Sequence, residues 1–204
     1  MKSIITILLL MFTLGGTVQA QNQNLTLMDK STMQIDGTSN VHDWTADVTE
    51  FSTSITMNSD TMDAGAPARL VKSFTLTVPV DKIKSGKGRM DKKIRGALKE
   101  EEHPTINFSL SSVDSTLSSD STATADSTRT VTTNATGELT VSGVTRNITL
   151  PVESMLTEEG SVKFMGNYEL NMKDYDVEPP SVMFGAISSG EKVTITFELF
   201  FAKK

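Results

Sequence analysis

The stretch from residue 88 to residue 108, GRMDKKIRGALKEEEHPTINF, marks a change of periodicity in this chain. Its apolar residues fall at i, i+4, i+7 and i+8 and would share one stripe of a short helix: Met90, Ile94, Ala97 and Leu98. Pro104 ends helical structure, because the residue before a proline is pushed out of the helical region. Residues 105–110 resume as a strand, so we expect the helix to cap an open end of a sheet.

On both sides of this helix, apolar and polar residues alternate with a period of two, which is typical of half-buried strands. The alternation predicts about eight strands, at residues 32–36, 44–51 (continuing through 52–58), 74–80, 105–110, 131–141, 144–155, 162–172 and 193–201. Most connections are short, and Ser142-Gly143 and residues 158–160 resemble hairpin turns. Because such a meander must protect its edges, the pattern predicts closure into an all-β barrel or a two-sheet sandwich.

A second short helix is predicted near the carboxyl terminus, at residues 179–187. Pro179 and Pro180 suit a helix start, and an apolar face would be formed by Met183, Phe184 and Ile187. This helix is too short to be stable alone, so we expect it to pack on the sheet.

The first 20 residues have the composition of a secretory signal peptide. Lys2 supplies the positive start, residues 4–14 are mostly apolar, and Val18-Gln19-Ala20 offers small residues for cleavage after Ala20. We expect a flexible mature amino terminus at residues 21–30 and one barrel domain at residues 31–204. Because of the signal peptide, the mature protein would be periplasmic or secreted. We expect no stable membrane insertion, because its apolar runs are shorter than a membrane span.

Charge and cysteine content narrow the class of partner. The chain has no cysteine and a net charge of −6, and loss of the signal peptide would leave 18 Lys or Arg against 25 Asp or Glu. Nucleic acids and anionic membrane surfaces are bound largely through excess positive charge, so the overall balance argues against both. A domain of this length needs no disulfides for its stability.

Residues 111–130 form an insert made almost entirely of Ser, Thr, Asp and Ala. Asp114-Ser115-Thr116 recurs unchanged at residues 120–122 and 126–128, a spacing of six residues. One interpretation is a solvated loop, since such a composition buries little apolar area. The alternative is surface modification, because the triplets resemble O-glycosylation sites of exported Bacteroidetes proteins.

The sequence contains little that could support catalysis. His42 and His103 are the only histidines, neither belongs to a metal-ligand spacing, and no nucleophile elbow is present. We therefore expect no catalytic residue, no metal and no cofactor.

The apolar faces of the predicted strands are the candidate binding surface. An eight-stranded barrel is wide enough either to fill itself with side chains or to hold one small ligand. The residues predicted to face the lumen are Phe74, Leu76, Ile106, Phe108, Leu139, Ile148, Leu150, Phe164, Tyr168 and Phe197. The residues predicted at its mouth are His42, Trp44, Met90 and Ile94. The pattern alone leaves open whether the lumen is hollow or filled.

Several motifs together resemble the YceI-like family. They are GTSNVHDW at residues 37–44, residues 90–98 followed by HPTINF, GELTVSGVTRNITLPV at residues 137–152, and GEKVTITFEL at residues 190–199. The resemblance covers residues 33–201, and GTSNVHDW is similar to the Bacteroidetes branch of the family.

This resemblance implies a lipocalin-like antiparallel β-barrel that holds a long lipid, a polyisoprenoid or a fatty-acid amide, for transport or storage. It implies no enzymatic activity, and it leaves the oligomeric state open, a homodimer included. The cations Lys92, Lys93 and Arg95 have two interpretations, a solvated helix face or a contact with an anionic head group. The rival hypothesis for the whole protein is a filled structural or interaction barrel at the cell surface that binds no small ligand.

Overall fold

The strands of this chain form one continuous antiparallel sheet. The computed structural model describes residues 22–58, 67–114, 130–157, 159–182 and 187–203. The strands are β1 (Asn22–Leu27), β2 (Thr32–Ser39), β3 (Trp44–Val48), β4 (Ser52–Asn58), β5 (Val71–Pro79), β6 (Ile83–Lys84), β7 (Thr105–Val113), β8 (Val131–Val141), β9 (Val144–Leu156), β10 (Val162–Asn171), β11 (Ser181–Val182) and β12 (Ile187–Lys203). Within these ranges there is one α-helix, α1 (Gly88–Ala97), and short 3-10 helices lie at Pro67–Leu70, Val80–Lys82 and Met172–Tyr175.

Pairing between the first and last strands closes the barrel. The order around it is β1, β4, β5, β7, β8, β9, β10 and β12, and β12 returns to β1 with Leu27 opposite Phe201. The earlier part of β12 pairs with β2, from which β3 and β6 extend the sheet. The prediction of a lipocalin-like all-β barrel of about eight strands is therefore confirmed, with extra strands attached.

The period-two pattern places the strands well. β8 occupies the predicted residues. Its side chains at Val131, Thr133 and Ala135 are buried, and the residues between them are more exposed. The turn to β9 has two residues with positive φ, Ser142 (48°) and Gly143 (80°). Such a turn matches the twist of a hairpin, which explains the register of Val141 opposite Val144.

Helix α1 covers the side of the barrel where β3, β5 and β6 meet, as the apolar stripe predicts. Ile94 is buried in a cluster with Val48, Val78 and Ile83. The carboxylate of Asp91 accepts hydrogen bonds from the backbone N–H (2.8 Å) and the hydroxyl (2.6 Å) of Ser85. These bonds anchor the start of the helix to the end of β6.

The barrel is packed solid where β1 meets the end of β12. We call this region the packed end and define it by Leu25, Met57, Val162 and Phe201, all buried. The ring of Phe201 packs edge-on against Phe164, with 5.8 Å between centroids. Nearby, the backbone N–H of Ala68 in the 3-10 helix donates to the buried hydroxyl of Ser154 (3.3 Å).

Three expectations require correction. Part of the segment expected to be flexible, residues 21–30, is ordered as β1, because its backbone pairs with both β4 and β12 although most of its side chains are polar. The helix predicted at residues 179–187 does not form at Ser181–Val182 or at Ile187, where β11 pairs with the start of β12. Strand β7 continues to Val113, three residues into the predicted insert.

Other predictions fall on residues outside the described ranges. They are the signal peptide (residues 1–20), most of the Ser/Thr/Asp insert (115–129) and the apolar residues 183–186. Within the described ranges, no helix has the length and apolar character needed to cross a membrane.

Candidate functional site

A cavity of about 250 Å³ runs inside the barrel. Since a single water needs roughly 10–15 Å³ on this scale, the space is far larger than a packing defect. Almost every side chain on its wall is apolar, and Thr133 is the polar exception apart from the amphipathic Trp44 and Tyr168. The hydroxyl of Thr133 donates to the carbonyl of Val152 (3.5 Å), so it is satisfied by the protein itself. The cavity is thus a hydrocarbon-like space.

The structure places all ten residues predicted to face the lumen on the cavity wall. Several of them are only half-buried, including Leu76, Phe108 and Leu139, although they point away from bulk solvent. Their remaining accessible surface faces the cavity. This partial burial distinguishes a hollow barrel from a filled one.

The sequence-based prediction missed other wall residues. The largest of them are Met33, Ile35, Ile55, Ile83, Leu98, Leu110, Leu170, Met172, Ile195 and Leu199. Leu110 continues the alternation of Ile106 and Phe108, and Ile195 and Leu199 flank Phe197 with the same period, so the pattern could have identified them. Ala68 lies in a 3-10 helix and has no comparable sequence signal.

Glycines opposite aromatic rings help to keep the lumen open. A Cβ atom at Gly166 would lie 2.9 Å from the Phe197 ring, and one at Gly137 would lie 2.6 Å from the Phe108 ring. Gly37 receives the Trp44 indole in the same way. Each ring therefore packs against the backbone of a neighbouring strand, in space that a side chain would otherwise fill. The rings cover the glycines and extend less into the cavity.

The four residues predicted at the mouth separate into two pairs. Trp44 and Ile94 line the cavity, and the indole N–H of Trp44 donates to the carbonyl of Thr38 (3.2 Å). Met90 packs against the same apolar cluster as Ile94 but is not on the wall. His42 is exposed, and its carbonyl accepts a hydrogen bond from the Ser39 hydroxyl (2.7 Å), so it belongs to a surface turn.

Two tyrosines lie beside the wall. Tyr168 lines the cavity, whereas Tyr175 is buried in the adjoining cluster, and its hydroxyl has no hydrogen-bond partner among the described residues. Burial raises the pKa of Tyr175 to about 12, and the neighbouring phenol of Tyr168 adds to the effect. Desolvation also raises the pKa of Tyr168. Both phenols stay neutral at physiological pH, so this part of the wall carries no charge.

In the described part of the chain, no three His, Cys, Asp or Glu residues form a group that could hold a metal ion. The geometry there suits retention of an apolar molecule, because the wall supplies close contact and almost no polar groups.

Comparison with known proteins agrees with this architecture. BcnA of Burkholderia cenocepacia is similar in fold, with 18% identity, coverage of 84% of this chain and 96% of the other, and a TM-score of 0.62. A polyisoprenoid binding domain from Saccharophagus degradans, implicated in plant cell wall breakdown, has 13% identity, coverage of 89% of this chain and 98% of the other, and a TM-score of 0.61. A YCEI protein of Campylobacter jejuni has 15% identity, coverage of 78% of this chain and 84% of the other, and a TM-score of 0.54. No curated protein is significantly similar to the chain in sequence.

The decisive match is to a family defined by sequence. The model of the YceI-like domain matches residues 17–201, which include every described strand except the last residues of β12. The resemblance to the YceI-like family is therefore confirmed at the level of the family, and the chain belongs to the YceI-like domain family.

Proposed function

We propose that this protein is an exported carrier or storage protein that holds one polyisoprenoid or fatty-acyl chain, such as a fatty-acid amide, inside the barrel. The observation that carries the proposal is the hollow lumen with its almost wholly apolar wall. The Saccharophagus degradans neighbour, named as a polyisoprenoid binding domain, supports the same ligand class.

The driving force is the removal of hydrocarbon from water. Each buried CH₂ group contributes about 0.8 kcal/mol, so a chain of ten or more such groups binds usefully without any polar contact. The wall offers almost no hydrogen-bonding group to a ligand, so the protein selects the tail of the lipid and tolerates different head groups. A wall of this kind has no candidate catalytic residue, and we propose binding without catalysis.

Export to the periplasm or beyond is part of the proposal. It rests on the signal-peptide composition of residues 1–20. Amino-terminal sequencing of protein recovered from its host tests this step, with a mature chain starting at Gln21 as the expected result.

We propose separately that the insert is modified after export. The Asp-Ser/Thr triplets at residues 114–128 suit O-glycosylation of an exported protein of the Bacteroidetes type. Mass spectrometry of the exported protein tests this: added hexose masses on these residues support the modification, and an unmodified mass overturns it.

Native mass spectrometry of protein purified from its own host tests the binding function. We expect a population heavier than the chain by the mass of one lipid, and loss of that mass after organic extraction. The matched variant is Ala135→Phe, which fills the lumen at a wall position. Wild-type protein without any bound lipid, and without affinity for added isoprenoid or acyl chains, would support the rival filled-barrel module.

A further inference from the structure

The outer face of α1 carries an unusual concentration of positive charge. Between residues 82 and 99 the chain has one carboxylate, Asp91, and eight of its 19 basic residues: Lys82, Lys84, Lys87, Arg89, Lys92, Lys93, Arg95 and Lys99. The Asp91 carboxylate is buried and bonded to Ser85, so it neutralises little of the outer surface. This segment therefore carries a net positive charge, although Asp81 and Glu100–Glu102 flank it directly and the protein as a whole is acidic.

Three of these cations form a patch on the helix. Arg89, Lys92 and Lys93 are spaced i, i+3 and i+4, and all three side chains are exposed. None of them forms an ion pair with another described residue, whereas Lys82 pairs with Glu50 (2.7 Å) and Arg95 with Glu100 (3.2 Å). We call Arg89, Lys92 and Lys93 the cationic patch.

Helix stability does not account for the patch. Arg89 lies in the first turn of α1, where a positive charge opposes the helix dipole, and the N-cap residue, Lys87, provides no side-chain hydrogen bond to that turn. Gly96 lies on the same exposed face, and a Cβ there would have no atom within 4 Å. The face is therefore open around Gly96.

An exposed apolar side chain lies in a turn that leads to the same apolar cluster as α1. Val41, in the turn between β2 and β3, is 58% exposed. The turn leads into Trp44, and Trp44 packs against the same apolar cluster as Ile94 of α1. Cations combined with an exposed aliphatic side chain are typical of surfaces that bind anionic bilayers.

The inner face of α1 is part of the lumen wall. Ile94, Ala97 and Leu98 line the cavity, while the cationic patch occupies the opposite face. At this position the wall is one helix thick. A bilayer held against the outer face would bring its lipids next to the cavity.

We propose that the cationic patch and Val41 dock the barrel on an anionic lipid bilayer, from which the lumen is loaded or into which it is emptied. This inference rests on the proposed lipid-binding function. The net charge of −6 does not prevent docking, because charges beyond a Debye length of about 8–10 Å are screened. Docking is peripheral and reversible, and involves no inserted helix.

Vesicle co-sedimentation tests the docking surface. The purified protein is mixed with phosphatidylcholine vesicles, with or without phosphatidylglycerol, at a low salt concentration of about 0.1 M and a high one of about 1 M. We expect preferential binding to the phosphatidylglycerol vesicles at low salt and its loss at high salt. Since a cation near an anionic surface contributes roughly a fivefold gain, R89Q/K92Q/K93Q should weaken this binding about 100-fold.

The matched control removes three cations near the packed end. Lys30, Lys72 and Lys203 are exposed there, and K30Q/K72Q/K203Q makes the same change in net charge. We expect this variant to bind anionic vesicles within threefold of wild type. Equal loss in the two triple variants, or no preference for anionic vesicles in the wild type, overturns the inference.

A second pair of variants tests the surface without removing any native charge. Gly96→Glu places a negative charge beside the patch in open space, and Gly96→Gln changes the size of the side chain alone. We expect weaker vesicle binding for G96E than for G96Q, with equal thermal stability. Similar binding by the two variants contradicts docking through this face.

Two further measurements separate the docking inference from the binding function. A soluble fluorescent fatty acid, titrated without vesicles, should bind R89Q/K92Q/K93Q as tightly as wild type, while transfer of the probe from anionic vesicles should slow at least tenfold. Normal probe binding without vesicle docking refutes only the docking inference. Absence of probe binding in wild type refutes the proposed function. If soluble glycerol phosphate at low concentration competes with the vesicles for the protein, the patch is a site for free anions, and this result also overturns docking on a bilayer.

Discussion

The packed end and the lumen are built from the same types of residue, yet they bury them differently. At the packed end, Phe201 and Met57 are 0% exposed and belong to one buried apolar cluster. Along the lumen, Phe197 and Leu76 remain half-buried because one side of each faces the cavity. Apolar composition therefore does not decide whether a barrel is filled. The positions of the large side chains relative to glycines on neighbouring strands decide it.

The largest contrast is expected from two matched phenylalanine substitutions in β12. Phe201→Ala should lower the free energy of unfolding by about 3–5 kcal/mol, because it removes a fully packed ring. Phe197→Ala should lower it by only about 1–2 kcal/mol, since that ring already borders empty space. Urea unfolding measures both, and equal losses would mean that the lumen is packed like the rest of the core.

A second pair enlarges alanines instead. Ala46 is buried in the cluster beneath α1 and does not line the cavity, so Ala46→Phe should cost about 1–3 kcal/mol through overpacking. Ala135 lines the cavity, so Ala135→Phe should leave stability nearly unchanged and reduce binding of an acyl chain at least tenfold. Calorimetry with a soluble fatty acid, together with urea unfolding, tests the pair. Loss of stability in A135F, together with unchanged binding of the acyl chain, would contradict a hollow lumen beside Ala135.

The anchor of α1 predicts a pH dependence. Hydrogen bonds from the side chain and backbone of Ser85 lower the pKa of Asp91 below its usual 3.8. Because the pKa is lower in the folded state, the carboxylate contributes its full stability above about pH 4 and loses it as the pH falls through the lowered value. Ser85→Ala should cost about 1 kcal/mol near neutral pH.

Unfolding of wild type and Asp91→Asn between acidic and neutral pH checks this assignment. The difference in stability between the two proteins should be larger at neutral pH than at the lowest pH. A difference that does not change with pH would show that the Asp91 carboxylate does not titrate in this way.

The smallest effect is expected at Tyr175. Its buried hydroxyl has no partner among the described residues, so Tyr175→Phe should change stability by less than about 1 kcal/mol, in either direction. In the wild type, ultraviolet titration should show a tyrosine with a pKa of about 12. Since this pKa is raised on folding, stability should fall as the pH rises from about 10 towards 12, and Y175F should lose part of that dependence.

Sequence periodicity predicted much of this architecture, because a strand with one buried face must alternate. The bounds of β8 and the inward positions of Phe108 and Phe197 follow from that rule alone. The strand that closes the barrel, β1, was harder to predict from the sequence. β1 pairs with β12 through backbone groups, and the polar side chains of residues 22–24 gave no apolar pattern to indicate a strand.

The prediction of a helix after Pro180 was wrong for a related reason. Spacing suggested an apolar helical face, but Ser181 pairs with Ser188, so the backbone is extended there. Whether the lumen is hollow also depends on packing between distant strands, such as Phe197 against Gly166. No local pattern carries that information.

The central claim is that a hydrocarbon chain enters the lumen, and Trp44 allows the most direct test. It is the only tryptophan, and it lines the cavity. A dibrominated fatty acid, titrated against its unbrominated parent, should quench the fluorescence of Trp44 with saturation at one chain per protein, while the parent binds without quenching. Fluorescence that is unaffected by brominated chains, under conditions where the unbrominated chain binds, would contradict a ligand inside the barrel.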